Sequence, residues 1–231
     1  TVITALVAQN TCGVRRVYDL SPDFVAAQLD AVLSDVRIDS AKIGMLSNVA
    51  IIDVVCDKLQ QYAIPFVVLD TVMIAKSGDP LLQPDAVNKM VNQLLPLVDL
   101  ITPNLPEAAT LLGCEVAQDE VTMKQQGYAL LKQGCKAVLM KGGHLTENES
   151  PDWLFTQDGE WRFTSKRVNT KNTHGTGCTL SAALAAIRPQ VSDWQTCVEQ
   201  AKIYLQQALE HADSLEVGQG FGPVHHFHRW W

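Results

Sequence analysis

No stretch of this chain is apolar for long enough to span a membrane, and no basic, apolar, small-residue leader opens it. The expected location is cytoplasmic, with no membrane partner. Cysteine pairing is lacking as well. Cys12, Cys56, Cys114, Cys135, Cys178 and Cys197 include no C-x-x-C pair and no zinc-ligand spacing, so they read as reduced thiols. Positive charge is in deficit: 18 basic side chains against 25 acidic ones leave a net charge of −7, which argues against a nucleic-acid partner. Repeats, low-complexity tracts and linkers are missing too. What remains is 231 residues with 47% hydrophobic content, enough for a single well-buried α/β domain over residues 1–231.

Short β-rich apolar runs alternate with amphipathic helical patterns, which predicts a sheet with helices on both faces. Val2–Val7, Lys42–Met45, Phe66–Asp70, Leu100–Thr102 and Ala137–Met140 read as buried, mostly parallel strands. Helices are predicted over 22–34, with Ser21 as cap and Pro22 in the first position, and over 48–61, 84–95, 121–133, 178–187 and 193–211. Trp153–Thr156 and Glu160–Val168, joined around Asp158-Gly159, read as a hairpin. The candidate motifs then follow strands, at the edge where open α/β sheets bind ligands.

The densest motif is Asn172-Thr173-His174-Gly175-Thr176-Gly177-Cys178-Thr179. Gly175 and Gly177 flank Thr176 before an apolar helix, so consecutive N–H groups can converge on an anion at the helix N-terminus. Cys178 stands at that positive end, where a thiol is expected to have its pKa lowered and to act as base or nucleophile. A glycine-rich cap beside an inert buried cysteine is the alternative. Asn104 and Glu107 lie three apart at a helix start, a spacing that puts both side chains on one side of the first turn and suits a capping box. Asp70 closes an apolar strand and precedes a loop with Lys76, Ser77 and Gly78, in which a lysine can neutralise phosphate and a glycine permits motion. Lys141-Gly142-Gly143 follows another strand, and His144 beside it either contacts a nucleotide or only opens the next loop. Gln9 places an amide on an otherwise apolar strand, able to read ring nitrogens. His225, His226 and His228 form a weak metal pattern and read better as a packed tail, with Phe227, Trp230 and Trp231 expected to cover a core edge.

The segments Thr4–Thr11, Leu69–Gly78, Thr102–Ala108, Met140–His144 and Asn172–Cys178 occur in the order found in the ribokinase-like small-molecule kinases, which the chain resembles from Thr1 to its end. The resemblance is to the variant in which cysteine replaces the usual terminal aspartate. It implies a three-layer α/β fold with a central, mostly parallel sheet flanked by helices. It also implies ATP- and Mg2+-dependent phosphorylation of 4-amino-5-hydroxymethyl-2-methylpyrimidine, and then of its monophosphate, in thiamine biosynthesis. By resemblance Cys178 is the catalytic base and Lys76 belongs to a lid over the phosphates. Gly175, Thr176 and Gly177 form the anion hole; Lys141, Gly142 and Thr173 meet ATP. Asp70, Asn104 and Glu107 serve the metal, while Gln9, Met45 and Val72 line the pyrimidine pocket. A homodimer is implied too. Thr71 stands where many relatives have proline, a change expected to alter loop stiffness more than chemistry. Relatives also carry an opening segment of the type Asp-x-Ser-Gly-Gly-Ala-Gly, and the expectation is that this strand–helix opening is missing from the chain. Two other functions stay open: a pyridoxal kinase, and a non-catalytic ligand-binding remnant.

Overall fold

The computed structural model describes residues 1–73, 82, 84–143, 145 and 149–231. Lys76, Ser77, Gly78 and His144 lie outside the described residues. Among those described, the chain runs β1 (Ala5–Asn10), β2 (Gly13–Asp19), α1 (Pro22–Leu33), β3 (Ala41–Ile43), α2 (Val49–Gln61), β4 (Val67–Leu69) and α3 (Pro84–Lys89). It continues through β5 (Leu100–Ile101), α4 (Leu105–Leu112), α5 (Glu120–Leu131), β6 (Ala137–Lys141), β7 (Asp152–Thr156), β8 (Glu160–Phe163), α6 (Thr176–Ile187) and α7 (Trp194–Glu210). β3 to β8 form one sheet in sequence order, with β3 to β6 parallel and β7 and β8 antiparallel.

Alternation along the strands sorts the core onto two faces. Leu69, Ile101, Val138, Met140 and Phe155 point to one side, against Ile51 and Ile52 of α2, Leu105 and Ala108 of α4, and Met123 and Leu130 of α5. Val68, Leu100, Ala137, Leu139 and Leu154 point to the other, against Leu180 and Leu184 of α6 and Val198 and Ala201 of α7. Successive strand residues face opposite ways, so a run buried on both sides must be apolar throughout. Helix starts are set by side-chain caps. Asn48 accepts from Ile51 N at 3.1 Å, Asp119 from Thr122 N and Asp193 from Thr196 N, both at 2.7 Å, each satisfying an amide with no partner inside its helix.

The structure corrects several expectations. Val2–Val7 is not a buried parallel strand: the strand runs Ala5–Asn10 and pairs antiparallel with β2 in a separate two-stranded sheet, largely exposed. The two-residue turn at Thr11 and Cys12 makes that local pairing available before any distant one. The predicted helix 84–95 is α-helical only to Lys89; Met90–Leu94 widens into a π turn and Leu95–Leu97 tightens to 3-10. Pro96 has no N–H to continue the ladder. The second hairpin strand stops at Phe163. The terminal aromatics cover no core: Phe227, Trp230 and Trp231 are 55%, 72% and 80% exposed, and Phe227 stacks on Trp231 at 5.4 Å between centroids.

Candidate active site

Asp70, directly after β4, is almost fully buried, a placement that a carboxylate tolerates only with partners. Lys141 Nζ lies 3.3 Å from Oδ1 and Lys42 Nζ 3.7 Å from Oδ2. Ser181 Oγ donates to Oδ2 at 3.1 Å, and Thr102 Oγ1 to Oδ1 at 3.3 Å. Burial opposes ionisation of Asp70, but the two lysines and the serine outweigh it and hold its pKa below the ordinary carboxylate range.

Glu107 belongs to the first turn of α4. Asn104 is the N-cap, its Oδ1 accepting from Glu107 N at 2.8 Å, while Glu107 Oε2 accepts from Asn104 N at 2.9 Å. Thr71 Oγ1 donates to the same oxygen at 3.1 Å, and Lys141 Nζ stands 3.9 Å away. Burial raises the Glu107 pKa, and the relief from Lys141 and the Asn104 amide does not cancel it. Lys141 responds in turn. Burial works against its charge, but Asp70 and Glu107 together raise its pKa above the usual lysine value. The Lys141 amide donates to Pro103 O at 2.9 Å, which fixes β6 beside the start of α4 and brings the lysine between the carboxylates.

The helix N-terminus completes the group. α6 begins at Thr176, two residues earlier than the pattern indicated, with Gly175 as N-cap in the left-handed region at φ 82°. Cys178 therefore lies inside the first turn. The amides of Gly177 and Cys178, in that turn, have no carbonyl four residues back within the helix. A Cβ placed on Gly177 would stand 3.5 Å from Lys141 Nζ and 4.0 Å from Asp70 Oδ2, so this glycine's open side faces the charged cluster. The expected lowering of the Cys178 pKa is corrected. The residue is reachable by solvent yet sits low among protein atoms; this partial burial raises its pKa, Asp70 adds to the rise, and Lys42 and Lys141 only partly offset it.

Two cavities flank the loop that leads into α6. One, of about 660 Å³, lies between Asn169–Asn172 and Asp213 with Leu215–Gln219. The other, of about 760 Å³, runs between α6 and α7 and is reached by Gly175, Cys178, Thr179, Tyr204 and His226. Thr173 lies between Asn172, which lines the first, and Gly175. Gly142 is buried and its amide donates to Asp152 Oδ1 at 2.9 Å; a Cβ there would meet Pro151 O at 1.9 Å. Met45 and Val72 follow the neighbouring parallel strands β3 and β4. Gln9 is apart from them on the exposed β1–β2 hairpin, whose base touches Met45 through Thr4 Oγ1 to Met45 O at 2.7 Å.

Thus Asp70, Asn104, Glu107, Lys141, Gly177 and Cys178 converge, and Gln9 does not join them. Lys42, Thr102 and Ser181 are partners that sequence reading missed, and Thr71, expected to alter loop stiffness more than chemistry, instead donates its hydroxyl to Glu107 within the cluster. Only Lys42 left a signal, as a charged residue inside the short strand Ala41-Lys42-Ile43.

Buried acids and a lysine beside a glycine-capped helix, at the C-terminal edge of a mostly parallel sheet, define the ribokinase-like class of phosphotransferases. The chain belongs to the phosphomethylpyrimidine kinase family, whose model matches residues 1–225. It is 64% identical over 230 residues to the hydroxymethylpyrimidine/phosphomethylpyrimidine kinase of Salmonella typhimurium, spanning all of this chain and 86% of that protein. The crystal structure of phosphomethylpyrimidine kinase from Clostridium difficile matches with a TM-score of 0.79 at 38% identity, over 90% of this chain and 85% of that one. The pyridoxal kinase of Staphylococcus aureus in complex with AMP-PCP and pyridoxal matches with a TM-score of 0.89 at 27% identity, over 99% and 82% of the two chains.

Proposed function

We propose that this chain transfers the γ-phosphoryl group of ATP to 4-amino-5-hydroxymethyl-2-methylpyrimidine, and then a second to the resulting monophosphate. The observation that carries the reading is the meeting of Asp70, Glu107 and Lys141 against the open side of Gly177, across three separated motifs. Phosphoryl transfer needs positioning and charge neutralisation more than covalent chemistry, and this cluster offers both.

In this reading Gly175, Thr176 and Gly177 receive the transferring group on backbone amides, and Cys178, whose pKa burial and Asp70 raise in the ligand-free chain, must lose its own proton on ligand binding before it takes that of the attacking hydroxyl. Lys141 neutralises phosphate, while Thr173 and Gly142 shape the approach of the nucleotide, whose base and sugar fit the polar cavity beside Asn172. Lys76 adds a second positive charge. Asp70 and Glu107 would hold magnesium through hard carboxylate oxygens, the ligand type that ion prefers. Asn104, whose amide oxygen is already used on the Glu107 N–H, serves that ion by holding Glu107 in place. Held there, magnesium would supply neutralisation of phosphate charge. Met45 and Val72 contact the pyrimidine. The working form is a cytoplasmic homodimer with no nucleic-acid or membrane partner.

Steady-state turnover with the pyrimidine alcohol, its monophosphate and pyridoxal, each pure, tests the reading. ATP-dependent phosphorylation of both pyrimidines, faster than of pyridoxal, is expected. Pyrimidine binding without ATP turnover would establish a non-catalytic remnant, and faster pyridoxal turnover a vitamin B6 enzyme.

A further inference from the structure

The N-terminal turn of α6 has no side-chain cap of its own. It is held from outside by a strap of the C-terminal tail. Before the turn, His174 N donates to Gly222 O at 2.9 Å and Val224 N to His174 O at 3.4 Å, a parallel bridge at Pro223. After it, Thr179 Oγ1 and His226 Nε2 lie 2.9 Å apart. Residues 222–226 therefore grip both ends of Gly175-Thr176-Gly177-Cys178.

The strap is itself anchored. Val224 and His225 are buried, His225 N donates to Ala208 O at 2.9 Å, and Tyr204 Oη donates to His226 O at 3.0 Å. Gly222 N donates to Asn172 Oδ1 at 3.1 Å, at a position where a Cβ would come within 2.2 Å of that oxygen. The segment it grips contains two glycines, so its backbone has more freedom to lose than an ordinary helix start. Thr179 N closes the first turn on Gly175 O at 2.8 Å. Without a partner, a helical threonine hydroxyl turns back onto the carbonyl one turn earlier and bends the helix there.

We propose that His226 is a positioning residue for phosphoryl transfer, acting through Thr179 to hold the amides of Gly177 and Cys178 in the geometry the transferring group requires. This rests on the reading of the α6 N-terminus as the anion site. His226 touches no reacting atom in it; it sets where those atoms are met.

The experiment compares His226→Ala, His226→Gln, Thr179→Val and the Thr179→Val/His226→Ala double variant. His226→Ala should lower kcat by about 10–100-fold with little change in KM for the pyrimidine alcohol, the usual cost of losing an orienting partner. His226→Gln, whose amide can still reach the Thr179 hydroxyl, should recover most of the rate. The double variant should be no slower than either single one, because both remove the same contact. Amide exchange at Thr179 in the ligand-free chain should speed up in His226→Ala and not in His226→Gln. Unchanged kcat, unchanged Thr179 exchange, or losses that multiply in the double variant would each overturn the proposal. Should the unaltered chain not phosphorylate the pyrimidine, the proposed function falls, and the exchange comparison still decides whether His226 holds the turn.

Discussion

Asp70 and Glu107 share one lysine and shift in opposite directions, and the difference lies in how many partners each has. Asp70 meets two lysines and two hydroxyls, so its ionised form wins against burial; Glu107 meets Lys141 only at 3.9 Å and loses. A carboxyl with its folded pKa raised gives stability that is full below the unfolded value of about 4.3 and lost as pH rises through the folded value. Ionised Glu107 is thus a net cost at neutral pH. Glu107→Gln keeps an oxygen for Asn104 N and Thr71, so Tm at pH 7 should rise, the gain shrinking as pH falls toward the ordinary carboxylate range, while magnesium-dependent turnover drops. For Asp70 the sign reverses. Its contribution is present above about pH 3.9 and lost as pH falls through the lowered folded value, so Asp70→Asn should lower Tm at pH 7. Calorimetry across pH with turnover alongside checks both; a Tm loss in Glu107→Gln at pH 7 would contradict the burial argument. Cys178 gives a second test. With its pKa raised, alkylation of the ligand-free thiol should be slow at pH 7 and accelerate only above the usual thiol value of about 8.5. Lys42→Met removes a charge that lowers that pKa and should slow alkylation further at fixed pH. Cys178→Ala should cost about 10²–10⁴ in turnover, the range for a general base. At this scale the sequence exposed residues with a local pattern. Asn104 and Glu107 were legible as a box three apart, whereas Ser181 and Thr102 reach Asp70 only through the fold, 111 and 32 residues away.

Elements were legible where one period governed a whole run. The parallel strands β3 to β6 showed as short apolar runs because both their faces are buried, and α1, α2 and α7 showed as capped amphipathic patterns. The first strand was misplaced for a physical reason: apolar residues mark strand propensity but not which sheet the strand joins, and only two residues separate β1 from β2. Helix α6 was placed late because a glycine N-cap carries no side-chain signature. The Lys141-Gly142-Gly143 turn shows the opposite lesson, a commonplace dipeptide with a strict steric demand. Gly142 is enclosed by Pro151, its amide is held by Asp152, and Asp152 pairs with Lys202 of α7. Gly142→Ala should destabilise the chain by about 1–3 kcal/mol, the range for overpacking a closed site, and should weaken nucleotide binding because β6 and β7 must separate. Gly143→Ala, whose Cβ would meet only Ser150 Oγ at 3.6 Å, is the control. Equal Tm in the two variants would remove the steric argument.

At the scale of the molecule, motifs from Asp70 to Cys178 meet because parallel strands all present their C-terminal ends to one edge of the sheet. That edge is also where the β1–β2 hairpin is tied, through Thr4 to Met45 at its base and through Thr11 at its turn, whose carbonyl accepts from Phe221 N at 2.8 Å. The hairpin itself is poorly covered. Leu6 and Tyr18 are cross-strand partners, 52% and 60% exposed, and Ile3 and Phe24 nearby in sequence are 41% and 57% exposed. Neighbouring apolar side chains left in water mark a contact surface more often than a solvated one, and a hairpin's two strands gain little stability from each other alone. A second copy of the chain is the occupant expected from the family resemblance, and a self-complementary patch would pair about a two-fold axis. Sedimentation at micromolar concentration should therefore show a dimer. Leu6→Lys with Tyr18→Glu should shift it to monomer, with little change in the circular dichroism of the helices, because neither side chain belongs to either buried core. A monomeric unaltered chain, or a double variant that remains dimeric, would show that the hairpin is not the interface.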